Sequence, residues 1–476
     1  MTAPNRVPAF ARDEQGRGHG LSVIFFLIEQ PLPRLVGVLA LVSGIVTWCF
    51  DGGLVSFGVL LVTLPLALAA PFAIAIVYGS FRDSGERLDW QRYLMWRSPA
   101  DAQKWELRKI PMAVLYEAYM SEALDFIGDV RETLLLRNRL FRFCFTWHDL
   151  AFYLRDFLRQ NVSHSQVADR REVAPVYDRG NDFYHWFLGD SMVYTCALFR
   201  DPAESLDEAQ VRKMDMICQA TQMRAGDTHL DIGSGWGGLV VHAAKHYGTT
   251  GLGVTLAREQ AAWALQHAQQ NGVADRVRMV VDDYRNIPAE QFDKITCVEM
   301  AEHVGIKNFQ KFMRQVAGLL KDDGVFYLQI AGLRRPWQYE DLVWGLFMAK
   351  YIFPAADASC PLAFVIGNAE RAGFEVHRVE NCGAHYSVTI RKWYDNWMRN
   401  REAIIGAYGQ RWYRMWAMFL GWSTLIAAQG SSTVFMITMT KNTKNDRDSV
   451  STDESSRVPF SRIGRWIGPK PIATQQ

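Results

Sequence analysis

The chain runs to 476 residues, about three domains of ordinary size, and its 49% hydrophobic and 21% charged content is that of a folded rather than a disordered polypeptide. With 52 Lys and Arg against 50 Asp and Glu the net charge is +2, so no overall basic field marks a nucleic-acid partner. The seven cysteines are odd in number and lack a CxxC pair, which argues against a disulfide scaffold or a zinc site, while the aromatic share of 13%, with 16 Trp, suits apolar pockets and lipid-facing surfaces.

Residues 1–31 read as a polar N-terminal segment. From Leu35 to Tyr78 there is one charged side chain, Asp51, and Asp51-Gly52-Gly53 divides the stretch into two apolar runs. The second, Leu54 to Tyr78, exceeds the about 20 residues that span a bilayer. Together the runs predict a transmembrane helical hairpin over residues 32–81. Arg6, Arg12, Arg17 and Arg34 precede it, Arg82, Arg87, Arg92 and Arg97 follow it, and the turn carries no Lys or Arg, so both flanks are expected on the cytosolic side. A buried helical pair is the soluble alternative, but it should show a polar face; a re-entrant second run would change the topology and keep the anchor.

Residues 82–170 form a mixed, aromatic-rich connecting region. Its stretches Phe141–Trp147 and Leu150–Gln160 look amphipathic, fit either to lie on a membrane surface or to pack into a core. Residues 171–441 alternate short apolar runs with helical patterns, as an α/β domain does, and 442–476 are polar and expected to be disordered.

Thr228 to Gly238 read as a strand, a glycine turn and a helix start. Gly233, Gly235 and Gly238 satisfy GxGxxG, a weak signal by itself. The next strand, Gly251 to Leu256, ends in Thr-Leu where a nicotinamide site wants an acid for the ribose. Asp231, just before the first glycine, can hold an ammonium, as the amino-acid end of S-adenosylmethionine requires. The third strand, Val277 to Val281, ends in Asp282-Asp283-Tyr284, a carboxylate and an aromatic suited to an adenine. A fourth strand through Ile295–Met300, a helix from Asn308 to Leu320 and a fifth strand, Gly324 to Ile330, complete the pattern of a methyltransferase core. His242 and His246 stand at i, i+4 without the Glu of HExxH or a third ligand, so no metal site is expected.

Tyr177-Asp178-Arg179-Gly180-Asn181-Asp182-Phe183-Tyr184 resembles the N-terminal signature of the cyclopropane-fatty-acid synthases and their relatives. The Asp231–Gly238 loop, Gly253–Leu256 with Glu259 and Gln260, Asp283-Tyr284-Arg285 and Glu302-His303-Val304-Gly305 fit that family in order. Ala331–Gln338, Asp341–Met348, Lys350–Pro354, His385–Ile390 and Ala427–Thr433 are similar to the fungal-type sphingolipid C9-methyltransferases in particular. The resemblance implies an α/β fold: a seven-stranded class I methyltransferase (Rossmann-like) sheet over 171–441, with lipid-binding cap insertions near 333–360 and 383–430 and an antiparallel pair near Phe374–Val379 and Val434–Thr440. It implies S-adenosyl-L-methionine as cofactor, held by Tyr194, Thr195, Asp231, Gly233, Gly235, Thr255, Gln260, Asp283 and Tyr284. It also implies a bicarbonate ion in a pocket of Cys196, Glu302 and Tyr386, from which the family histidine of the fifth strand departs as Gln329.

An isolated alkene that attacks a sulfonium methyl leaves a carbocation, so the site must be dry and apolar yet offer negative charge or π-density. Glu302, Tyr386 and aromatics such as Trp344, Phe347 and Tyr351 are the expected types. Loss of a proton from the new methyl closes a cyclopropane; loss from the methylated carbon restores a branched alkene. Gln329 is expected to shape the base site toward the second outcome. Arg334-Arg335 suits either an acidic lipid surface or a solvated pair. The leading expectation is a membrane-anchored enzyme of endoplasmic reticulum or Golgi acting on the 8-unsaturated base of ceramide. The alternatives are a cyclopropane or methyl-branching synthase on phospholipid acyl chains, or a non-catalytic cofactor- or lipid-binding membrane protein. Nothing in the sequence fixes an oligomeric state.

Overall fold

The structure is a computed structural model that describes residues 87–152, 179–334, 338–353 and 360–442. The chain divides into two units, Met1–Phe81 and Arg82–Gln476, and every described residue belongs to the second. The expected N-terminal segment, the hairpin over 32–81, most of Leu150–Gln160, the tail beyond Asn442, and Tyr177, Asp178, Arg335 and Pro354 lie outside the described residues. Among the described residues no helix is long and apolar enough to cross a membrane.

In chain order, helices α1 (Met112–Met120) and α2 (Val130–Leu135) belong to the connecting region, and α3 (Asn181–Leu188) and α4 (Leu206–Ala220) lead into the sheet. Then follow β1 (Thr228–Ile232), α5 (Gly238–Tyr247), β2 (Thr250–Thr255), α6 (Arg258–Gln270), β3 (Val277–Val281), β4 (Phe292–Val298), α7 (Ile306–Leu319) and β5 (Leu320–Leu333). The last part holds α8 (Tyr339–Phe347), α9 (Leu362–Arg371), β6 (Phe374–Asn381), α10 (Gly383–Arg399), α11 (Arg401–Tyr408), α12 (Gln410–Ala428) and β7 (Ser432–Lys441).

The seven strands form one sheet in the order β3-β2-β1-β4-β5-β7-β6. Pairings among β1 to β5 are parallel, and β7 runs antiparallel to both β5 and β6. The expected antiparallel pair is thus present, a little longer than its apolar runs. β5 also outgrows the predicted Gly324–Ile330, because β4 and β7 pair with it on its two edges. The inner strands are apolar on both faces, as a sheet covered on both sides requires. Leu230, Ile295, Phe326, Leu328 and Ile330 pack with Phe309, Phe312 and Val316 of α7 and Val365 of α9. On the other face Tyr327, Val434 and Met436 pack with Met214 and Ile217 of α4 and Leu239 of α5. The capping box of Ser205 and Glu208 starts α4 by satisfying backbone N–H groups that the helix cannot.

This topology gathers the loops after β1, β2, β3 and β4 at the C-terminal ends of parallel strands, where open α/β sheets bind ligands. Above that edge stand α8, a π-turn over Met348–Ile352, and α10 to α12. Helix α12 is buried on every side from Tyr413 to Ala427, packed against α10, α1 and α2. Its one buried cation, Arg414, pairs with Asp125 at 2.6 Å and donates to the carbonyls of Tyr119 and Leu124. The Phe141–Trp147 stretch packs into this core: Phe141 is buried, Phe143 stacks on Trp422 at 6.2 Å, and Phe145 meets Tyr339 at 5.5 Å.

Candidate active site

The loop after β1 turns on glycines for a steric reason. Gly233 has φ +78°, and a Cβ there would lie 2.5 Å from side-chain atoms of Met300. At Gly235, φ +54°, an added Cβ would meet nothing within 4 Å and would project into a cavity. That cavity has about 960 Å³ of empty space and is lined by Tyr194, Thr195, Gly233, Gly235, Thr255, Gln260, Asp283 and Tyr284, eight of the nine expected cofactor residues. The ninth, Asp231, lines an adjoining recess that shares Tyr194, Thr195 and Gly233 with it.

Each polar group in this cavity is held from behind. Thr255 donates its hydroxyl to Gln260 Oε1 at 2.6 Å, which leaves the Gln260 amide hydrogens for a ligand. Asp283 accepts from Arg285 Nε at 2.7 Å and Nη2 at 2.6 Å and retains room for one further donor. Asp231 accepts from Thr296 at 2.6 Å; burial pushes its carboxyl up to about 6, opposed by the Thr296 hydrogen bond and by Lys213. Lys213 is itself buried, donates to Thr195 Oγ1, and is pushed down to about 8 by burial. The family-like signature pins the loop: Trp236 Nε1 donates to Asn181 at 2.7 Å, the Trp236 and Tyr184 rings lie 4.7 Å apart, and Tyr408 ties Arg179 and Asp182 to α11. An acid, a donor amide, a carboxylate beside an aromatic, and a glycine cradle fit the ammonium, hydroxyls, adenine and chain of S-adenosylmethionine.

A second cavity, about 780 Å³, opens from the same edge. Tyr194, Glu299 and His303 line both. The rest of its wall is mostly apolar: Trp344, Met348, Phe353, Ile390, Trp393 and Phe419, with Glu302 and Tyr386 at the inner end. Of the three aromatics expected there, only Trp344 lines it, its indole N–H held by Ser423 at 3.1 Å. Phe347 is fully buried against Tyr116 at 5.0 Å, and Tyr351 turns its hydroxyl to Glu117. Arg334 donates to the Gln429 carbonyl at 3.0 Å and faces Asp341 at 3.6 Å.

Four side chains assigned to catalysis converge here, but only two reach the cavity. Glu302 Oε1 accepts from the backbone N–H of Ala331, while Oε2 is buried and has no hydrogen-bond partner among the described residues. Burial, then the neighbouring Glu299, pushes Glu302 up to about 8, so it holds its proton at neutral pH. Tyr386 lines the cavity. The thiol of Cys196 is fully buried, turned toward the carbonyls of Ala197 and Cys382, and burial holds it protonated. Gln329 is also fully buried. Both act through a residue the sequence reading missed: the backbone N–H of Cys196 donates to Glu299 Oε1 at 2.8 Å, and Gln329 Nε2 donates to the same oxygen at 2.6 Å. Both donors are therefore engaged by the Glu299 carboxyl, and an ionisable carboxyl in that place makes a poor setting for a further anion, so the residues present do not fit a bicarbonate ion. His242 pairs with Asp215 at 2.8 Å. Among the described residues no cluster of three or more His, Cys, Asp or Glu is placed to hold a metal ion.

The comparisons with known proteins agree with this geometry. The family model of mycolic acid cyclopropane synthetase matches residues 164–437. Sphingolipid C9-methyltransferase 2 of Gibberella zeae is 42% identical over 419 residues, covering 86% of this chain and 80% of its own. The sphingolipid C9-methyltransferase of Komagataella phaffii is 40% identical, covering 91% of this chain and 92% of its own. The crystal structure of mycolic acid cyclopropane synthase CmaA1 complexed with SAH and CTAB superposes with a TM-score of 0.55 at 25% identity, over 57% of this chain and 98% of that one. With the sheet order, the glycine cradle and the paired cavities, these likenesses show that the chain belongs to the mycolic acid cyclopropane synthetase family, within its sphingolipid C9-methyltransferases.

Proposed function

We propose that this protein is an S-adenosylmethionine-dependent C-methyltransferase that methylates C9 of the 8-unsaturated sphingoid base of ceramide and restores the double bond. The observation that carries the reading is the meeting of a polar cofactor cavity with an aromatic, apolar one at Tyr194, Glu299 and His303. When bound, S-adenosylmethionine supplies an electrophilic methyl on a sulfonium. The chain's own residues orient it and exclude water: Gly233 and Gly235 admit it closely, and Gln260 and Asp283 present hydrogen-bonding groups to it. Trp344, Phe353, Trp393 and Phe419 offer a dry wall to an aliphatic chain and π-density to a carbocation. The choice of sphingolipid over other lipids is supported by the activity for which the relatives are named.

The anchor belongs to the same reading. The two apolar runs of residues 32–81 would hold the enzyme on the membrane that contains its substrate, with the catalytic unit facing the cytosol, in endoplasmic reticulum or Golgi. Expression of the full chain in a host that makes 8-unsaturated, unbranched ceramides tests the substrate. Gain of one methylene unit in the sphingoid base, with the double bond kept, is the expected result. Gain confined to phospholipid acyl chains would refute it.

A further inference from the structure

We propose that Glu299 is the catalytic base, the group that removes the proton from the methylated carbon after methyl transfer. This inference rests on the reading of the chain as a lipid C-methyltransferase and adds the identity of its base. Glu299 has φ +52°, a left-handed conformation unusual for a residue other than glycine, directly after β4. Its backbone N–H donates to the carbonyl of Gln329 at 2.8 Å, which locks the turn. The consequence is a carboxylate on the wall between the cofactor cavity and the apolar cavity, lining both.

Its charge is provided for. Oε1 takes two hydrogen bonds, from the Cys196 backbone and the Gln329 amide, and buried Lys213 adds a favourable cation. Among the described residues no hydrogen bond takes up Oε2. Two carboxyls facing one dry space cannot both ionise cheaply, and the donors decide which does. Glu302 has one backbone donor and keeps its proton; burial raises Glu299 as well, but its two donors and Lys213 oppose that rise, so of the pair Glu299 is the one that gives up its proton first. Cys196 does not reach the cavity. His303 lines both cavities too, but an imidazole offers the carbocation no negative charge, whereas a carboxylate stabilises the cation first and then removes its proton.

The step balances. The alkene π pair forms the bond from C9 to the methyl as the carbon–sulfur bond breaks, and the positive charge moves from sulfur to C8. The Glu299 carboxylate takes the C9 proton, and the electrons of that C–H bond reform the C8–C9 double bond. The charge that entered on the sulfonium leaves as this proton, passed to solvent.

The experiment compares full-length wild type, Glu299→Gln, Glu299→Gly and His303→Gln in membranes supplied with 8-unsaturated ceramide and labelled methyl donor, with S-adenosylhomocysteine affinity measured by calorimetry on the same solubilised proteins. Glycine relieves the left-handed turn, so Glu299→Gly should fold. Glu299→Gln is expected to slow turnover by about 100-fold or more, the range of general base catalysis, while S-adenosylhomocysteine binds within about threefold of wild type. Formate is expected to recover at least part of the lost rate in Glu299→Gly and none in Glu299→Gln. Turnover by Glu299→Gln within about threefold of wild type, an equal loss of affinity and rate, absence of formate rescue, or a larger rate loss in His303→Gln would each overturn the assignment. Methyl transfer by wild type to another lipid would instead overturn the sphingolipid reading, and the variant-to-wild-type ratio on that lipid would still decide Glu299.

Discussion

Gln329 on β5 donates its side-chain amide to Glu299 Oε1 across 2.6 Å, and Tyr327 steadies the other end of that amide at 3.4 Å. The departure from the family histidine thus places a neutral donor against a carboxylate. A donor to the charged form lowers a carboxyl pKa, and a hydrogen bond to a charged group contributes about 1.5–3 kcal/mol, roughly one to two pH units. Gln329→Ala should therefore raise the pH at which turnover reaches half its plateau by about one unit, because Glu299 then ionises later. Lys213 and Glu302, the other titratable groups that act on Glu299, are unchanged in that variant. The turnover–pH profile checks this, and an unshifted profile would count against it. Gln329→His tests the product: the same branched alkene at the same rate would remove any part for Gln329 in choosing the proton.

Gly233 is predicted to be irreplaceable even by alanine. The Cβ would stand 2.5 Å from Met300 side-chain atoms at a φ of +78°. Either the loop or Met300 must shift, and Met300 also lines the cofactor cavity. Gly233→Ala should weaken S-adenosylhomocysteine binding by about tenfold or more, about 1.4 kcal/mol, measured by calorimetry.

The buried carboxyl of Glu302 predicts a window of pH-dependent stability. Its folded value of about 8 stands above the ordinary 4.5, so between these the folded state keeps a proton that the unfolded chain has lost. Unfolding then releases a proton, and stability falls as pH rises. His229, pushed down to about 3 by burial, and His242, His267 and His385, also lowered by burial, oppose this until the unfolded imidazoles lose their protons, mostly by about pH 7; Asp231, at about 6, is largely ionised by then, and Lys213 titrates around 8. From about pH 7 to 8 the solubilised protein should lose stability to urea, by about 1 kcal/mol per pH unit at most. Glu302→Gln should flatten that slope.

A buried ion pair helps tie the connecting region to the helices above the sheet. Arg137 Nε meets Glu340 Oε1 at 2.6 Å, Trp422 donates to the same oxygen at 2.8 Å, and Arg137 Nη2 reaches Gln429 at 2.8 Å. Removing one member leaves the other charge buried alone, which costs about 3–5 kcal/mol. Glu340→Ala should lower the urea midpoint accordingly, whereas cutting an exposed pair such as Lys104–Asp101 should leave it almost unchanged.

What the sequence disclosed divides by range. β3 and the glycine loop were legible because their signals are local: an apolar run closed by Asp282-Asp283-Tyr284, and glycines where only glycine fits. The cavity wall was not. Trp344 and Phe347 sit three apart on α8, and periodicity does not say that the first lines a cavity while the second packs on Tyr116. Trp393 and Phe419 come from α10 and α12 and meet only in the folded chain. Cys196 meets Glu299 through its backbone N–H while its thiol turns away, a distinction that residue identity alone does not carry. Glu299 left one trace, an acid closing the apolar run of β4 three residues before Glu302, but its partners come from β5 and from the loop ahead of α4. Lys213 left a similar one, a lone cation on the buried face of α4.

The most direct test of the whole account is the deuterium count of the product made with S-adenosylmethionine bearing a CD₃ group. If the proton leaves the methylated chain carbon, the branched sphingoid base retains all three methyl deuterons and its double bond. A product that retains two deuterons and has lost the double bond would mean that the proton left the new methyl and closed a cyclopropane, and would contradict both the proposed reaction and the place given to Glu299.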